Sequence, residues 1–131
     1  MTTDTRTFGT PDMSASRGSL ATVGLWVLQI GAAAMFLMAG TMKLTGNPMM
    51  VQMFGAIGIG QWFRYLTGTI EVVGAILLLI PGAAVFGAVP LAVTMVGAII
   101  AHLFVIGGNP AVPIVLLAIT STVAWARWRS R

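Results

Sequence analysis

The chain has 131 residues, 57% of them hydrophobic and only 8% charged, with a formal net charge of +4. A water-soluble domain usually carries about 25% charged residues, so a chain of this composition, with a mean hydropathy of +0.94, cannot clothe itself in a polar surface, and a bilayer is its expected solvent. The absence of cysteine and the single histidine exclude disulfides, thiol relays, iron–sulfur clusters, thiolate metal sites, covalently attached haem, Cys-linked lipid anchors and a His-rich metal cluster.

The first eighteen residues, "MTTDTRTFGTPDMSASRG", are polar and rich in Gly, Ser and Thr, and predict a disordered tail over residues 1–18. A spanning helix needs about 20 apolar residues. The first such run is Leu20 to Met42, broken only by Gln29 and stopped by Lys43. It is too long for the core of a cleaved signal peptide, so a retained helix is expected.

The connection from Thr45 to Gln61 contains "NPMMVQMFGAIGIG", too apolar for a solvated loop and too short to span. Asn47 followed by Pro48 is a helix-start pair. A short helix or hairpin at the membrane surface, or tucked over the bundle, is expected here.

Three further runs follow. Trp62 to Ile80 ends in the Pro81-Gly82 turn signal. Val85 to Ile106 carries Pro90 in its first turns, where a kink is tolerated, and ends at Gly107-Gly108. The last begins near Pro110 and runs to Ala126, before "RWRSR". Asn109 can cap it, and Pro110 and Pro113 suit a first helical turn. Trp62, Trp125 and Trp128 sit where interfacial tryptophans belong. The prediction is an all-α membrane protein: a four-transmembrane-helix bundle over residues 19–127, followed by a basic tail at 128–131.

The pI is about 11.3, a value also met in nucleic-acid-binding domains. However, Arg6, Arg17, Arg127, Arg129 and Arg131 all flank apolar runs, where basic residues mark the cytoplasmic side and meet anionic lipid. Nucleic acid is therefore not an expected partner. All five arginines fall on the side shared by the two termini and the Pro81-Gly82 turn, while the other side holds only Lys43 and Arg64. Both termini are thus expected in the cytoplasm.

Depth then groups the remaining ionisable residues. At about 1.5 Å per residue, Glu71 lies roughly 10 Å inward of Arg64, and His102 roughly 7 Å inward of Gly107. Lys43, Arg64, Glu71 and His102 therefore share the outer half of the bilayer. Counting by threes and fours from Glu71 reaches Gly68 and Gly74, from Lys43 it reaches Gly40, and from His102 it reaches Ala98. Small residues of this kind mark contact faces between membrane helices, so Gly40, Gly68, Gly74 and Ala98 are the expected packing positions.

A carboxylate in hydrocarbon takes a proton or finds a cation. His102 is the nearest cation-forming group in depth, and Lys43 can reach down along its aliphatic stem. Intramembrane carboxylates serve either a site or a structural ion pair, and the sequence leaves both readings of Glu71 open. Lys43 and Arg64 also read as interface anchors, His102 as a packing residue, and Gln29 as interhelical glue. The nine methionines read as pliable packing rather than a copper site.

"FLMAGTMKLTGNP", "MFGAIGIGQWFRYLTGTIEVVGAILLLIP" and "AHLF" together resemble the DoxX and DoxX-like small membrane proteins of bacteria, from about Leu20 to Ala126. The resemblance implies a four-helix integral protein of the plasma membrane. It also implies association with membrane oxidoreductase complexes, thiosulfate:quinone oxidoreductase among them. The expected role is a subunit or accessory of a quinone-linked redox assembly, not an enzyme on its own. Glu71, His102, Lys43 and Arg64 would form an outer-leaflet polar pocket for a quinone-like headgroup. A proton-linked carrier and a ligand-free structural scaffold are the competing readings. The expected partners are the lipid bilayer and membrane redox proteins, and the sequence does not set an oligomeric state.

Overall fold

The computed structural model describes residues 13–130, with side chains from residue 18 onward. Five α-helices run in the order α1 (Met13–Leu44), α2 (Pro48–Ile57), α3 (Trp62–Leu78), α4 (Ala84–Ala101) and α5 (Ala111–Arg129), with a π-helical turn, His102–Ile106, continuing α4. No strand occurs among the described residues. Three helical stretches are long and apolar enough to cross a membrane: Gly18–Leu44, Ala84–Ile106 and Ala111–Arg129. Most of the expected tail, residues 1–12, lies outside the described residues, but α1 already begins at Met13.

Local chemistry explains the ends. Asn47 caps α2, its side chain accepting from the Met49 amide at 3.0 Å, with Pro48 in the first turn where a missing N–H costs nothing. Gly58 closes the same helix at φ 84°, a left-handed conformation suited to glycine. The short helix or hairpin expected between Thr45 and Gln61 is this ten-residue helix. Asn109 accepts from the Ala111 amide at 3.0 Å at the start of α5. That helix runs through Trp128 to Arg129 rather than ending at Ala126, and places Arg127 and Arg129 in its last turn, where cations oppose the helix dipole favourably. α3 stops at Leu78, two residues short of the expected Ile80.

Burial follows the helical period. On α1 the buried positions are Gln29, Ala32, Ala33, Phe36 and Gly40. On α3 they are Arg64, Thr67, Gly68, Glu71, Gly74, Ala75 and Leu78. α1 packs closely on α3, α3 on α4, and α4 on α5, while α1 and α5 meet more thinly. The apolar centre includes Ala32, Ala33, Phe36, Ala75, Leu78, Ala88 and Leu91. Outward-facing Val27, Ile30, Met38, Val73, Phe86, Val93 and Ile100 are exposed, as expected of side chains that face lipid rather than water.

Two glycine contacts set the helix spacing. A Cβ on Gly40 would stand 2.9 Å from the Gly68 carbonyl oxygen, and one on Gly87 would stand 2.5 Å from that of Gly74. Any side chain there would force the backbones apart, so α1–α3 and α3–α4 depend on these glycines for close packing. Buried hydroxyls are satisfied on their own helices: Thr67 donates to Phe63 O at 3.1 Å and Thr120 to Leu116 O at 2.8 Å, as hydrocarbon requires.

Candidate functional site

Lys43 occupies the last turn of α1, and Glu71 the middle of the buried face of α3. The Gly40–Gly68 contact draws these helices together at that level, with the Lys43 Cβ itself 3.0 Å from where a Gly68 Cβ would stand. Lys43 Nζ donates to Glu71 Oε1 at 2.7 Å and Oε2 at 2.9 Å. Glu71 is 1% exposed, whereas the Lys43 side chain retains 13%. The carboxylate is therefore sealed between helices, while part of the Lys43 side chain stays exposed. The chain solves the cost of a buried charge by pairing it.

Arg64 is buried at the start of α3 and does not touch the carboxylate in any described contact. Its Nη1 donates to the Lys43 carbonyl oxygen, one of the acceptors that every helix leaves open at its C-terminus. Its Nε donates to Gln61 Oε1 at 2.8 Å, and Gln61 Nε2 donates to Val51 O of α2 at 3.1 Å. The guanidinium also lies over the Tyr65 ring, 4.4 Å from its centroid. Arg64 thus ties the end of α1 to α2 and α3 and steadies the residue that carries the ammonium.

The partner described for His102 lies on its own helix. Its Nδ1 donates to Ala98 O of its own helix at 2.8 Å, and the π turn that holds it packs on α2. The last buried position of α4 is Met95. Glu71 has Lys43, not His102, as its described partner. Ala98 is half-buried against the core, and Gly74 faces the Leu91 side chain.

A second polar set lies toward the other end of the bundle. Gln29 is 1% exposed and bridges three helices. Its Nε2 donates to Leu78 O at 2.7 Å, at the open C-terminus of α3, and its Oε1 accepts from Arg127 Nε at 2.7 Å. The Arg127 guanidinium lies 5.3 Å from the Trp26 ring centroid. Arg127 had been read only as a basic flank. The signal that points inward is Gln29: an isolated amide in an apolar run needs a partner, and the C-terminal arginines lie at the same level.

Among the described residues no cluster of three or more His, Asp or Glu side chains could hold a metal ion. The profile of the DoxX-like family matches residues 19–123. The chain is 31% identical over 78 residues to a protein of Bacillus subtilis (strain 168) named "Putative oxidoreductase CatD". That match covers 60% of this chain and 58% of the relative, so the chain spans less than two thirds of its length. No solved structure matches the chain. With its profile match over most of the length and its apolar spanning helices, the chain belongs to the DoxX-like family of membrane proteins.

Proposed function

We propose that the protein is a multi-pass accessory subunit of a quinone-linked redox assembly in the bacterial plasma membrane, with the Lys43–Glu71 pair as its polar centre. In this reading all of α1, α3, α4 and α5 span. With 17 residues, α3 meets the lower limit of about 17 for a span, and the polar network around Arg64 extends it toward the headgroups. Both termini then share one side, which the flanking arginines make cytoplasmic, and the pair faces the outer leaflet.

The observation that carries the reading is the half-open ion pair. An ammonium has three N–H donors, and two of them go to Glu71. The third, on a side chain with 13% exposure, suits the carbonyl oxygen of a quinone-like headgroup, and Glu71 would then serve to hold the ammonium in place. His102 lies on the same side of the membrane, and its Nε2 is the ring nitrogen left for proton exchange. The name of the Bacillus relative supports a redox context. The test is to purify the protein from native membranes with its co-purifying proteins, and to measure bound quinone in the wild type and in Lys43→Met. The expected result is quinone in the wild type and a loss of more than half in the variant. Equal quinone in both, with both folded, removes the pair from ligand binding.

A structural scaffold is the second reading, favoured by the near-complete burial of Glu71. It predicts that Lys43→Met lowers stability with no change in any bound molecule or protein. A carrier is disfavoured: between the Lys43–Glu71 pair and Gln29 the interior is filled by Ala32, Ala33, Phe36 and Ala75, each no more than 1% exposed, which leaves no polar path.

A further inference from the structure

The Arg127 end of the bundle holds a cavity of about 320 Å³ between α1, the α3–α4 turn and α5, lined by Trp26, Gln29, Pro81, Ala84, Arg127 and Ser130 among others. This lies at the lower end of small-ligand sites, which run from about 300 Å³ upward. We propose that this cavity binds the oxyanion of a phosphate group, with Arg127 as its cation. The site is separate from the Lys43–Glu71 pair and does not depend on the role assigned to that pair.

Three observations converge on it. Arg127 Nη2 is buried and has no hydrogen-bond partner among the described residues. A buried N–H of a charged group that goes unmade is costly, and a guanidinium edge matches phosphate oxygens in geometry as well as charge. Second, the side chain is already aimed. Its Nε is fixed on Gln29 Oε1 at 2.7 Å, Gln29 is fixed on Leu78 O at 2.7 Å, and the Trp26 ring lies beside the guanidinium at 5.3 Å. A ligand would therefore meet an ordered donor rather than a free side chain. Third, no described residue supplies Arg127 with a counter-charge. Glu71 is the one acidic residue among the described residues, and Lys43 takes it at the other end of the molecule.

The walls suit a phosphate that carries apolar substituents. Ile80 and Val85 line the same cavity, and Ser130, whose hydroxyl now donates to Arg127 O at 3.1 Å, sits at its rim. A phospholipid headgroup and free phosphate share the recognised chemistry. Asp4 and Asp12, which lie in the chain before the described residues, are the internal alternative.

The test uses the full chain, purified and delipidated in detergent. Phosphatidylglycerol, diacylglycerol and inorganic phosphate are titrated in turn, with native mass spectrometry for stoichiometry and tryptophan fluorescence for affinity. One phosphatidylglycerol or one phosphate should bind, and diacylglycerol should not. Arg127→Gln should weaken binding by roughly ten- to a hundredfold, the loss of one charge-assisted hydrogen bond. Arg129→Gln removes the same charge from an exposed residue stacked on Trp125 and should change affinity less than about twofold. Arg127→Lys, which keeps the charge and so protects folding, should fall between. Binding of phosphatidylglycerol alone assigns a lipid headgroup; competition by inorganic phosphate assigns a free anion; either supports the site. The proposal is overturned if nothing binds the wild type, or if Arg127→Gln and Arg129→Gln weaken binding equally. It is also overturned if the Asp4→Asn, Asp12→Asn double variant binds phosphate or phosphatidylglycerol and the wild type does not, which would mean that the chain fills the site itself.

Discussion

At one end of the bundle Lys43 grips both oxygens of Glu71, at 2.7 and 2.9 Å. At the other, Arg127 grips one amide oxygen at 2.7 Å, and its Nη2 has no partner among the described residues. Both cations extend from near a helix C-terminus into an apolar bundle, yet among the described residues only the first meets a carboxylate. In a low-dielectric interior a charge and its counter-charge are stabilised as a unit. The first end carries that unit in its own sequence, where the Gly40–Gly68 contact draws α1 and α3 together. The second carries half of it, beside a cavity. The difference separates a cation paired within the chain from one whose Nη2 has no partner among the described residues, and it can be tested by unfolding.

Lys43→Met should have the largest effect. It leaves Glu71 buried without its cation, and breaking such a pair costs about 3–5 kcal/mol, read as a lowered unfolding midpoint in detergent. Adding Glu71→Leu should recover more than half of the loss, because an apolar replacement of a buried pair is often neutral. A double variant as weak as the single would mean that the carboxylate does more than neutralise Lys43. Arg127→Met strands no carboxylate, so it should cost well under half as much as Lys43→Met; equal losses would erase the contrast between the ends.

The glycine contacts come next. Gly87→Ala places a methyl 2.5 Å from the Gly74 carbonyl oxygen and should destabilise by about 1–3 kcal/mol, the range for overpacking a tight interface. Gly31→Ala has nothing within 4 Å and should be neutral or slightly stabilising, since alanine favours a helix by about 0.5–1 kcal/mol over glycine. Similar effects at both positions would show that the α3–α4 spacing is not set by these backbones. Gln29→Leu should follow, at about 1–2 kcal/mol, by stranding Leu78 O and releasing Arg127.

Much of this was legible in the sequence because hydrocarbon imposes simple rules. The apolar runs located the helices, and Asn47-Pro48 announced the start of α2. Counting by threes and fours from Glu71 reached Gly68 and Gly74, which are buried on the same face of α3. Depth counting was weaker, because a rise per residue fixes level but not direction. It put His102 nearest to Glu71 in depth, whereas the partner described for Glu71 is Lys43, and His102 bonds Ala98 O at the start of a π-helical segment packed on α2. A π turn carries an extra residue per bond, i→i+5 rather than i→i+4, which shifts the face that simple counting assigns. Arg127 was missed for a related reason: a terminal arginine reads as a lipid anchor until the helix is known to continue past it.

That distinction gives the smallest and most selective prediction. The half-buried His102 ring hydrogen-bonds its own helix, and the segment holding it packs on α2 rather than on the α1–α3 pair. His102→Ala should therefore change stability by no more than about 0.5 kcal/mol, the usual range for substitutions away from buried networks. Its effect should also add to that of Lys43→Met, because sites with no shared partner do not couple. A double-mutant cycle in detergent reads both quantities. A coupling above about 0.5 kcal/mol would join His102 to the Lys43–Glu71 pair in one network, and would place the polar centre of the molecule across three helices instead of two.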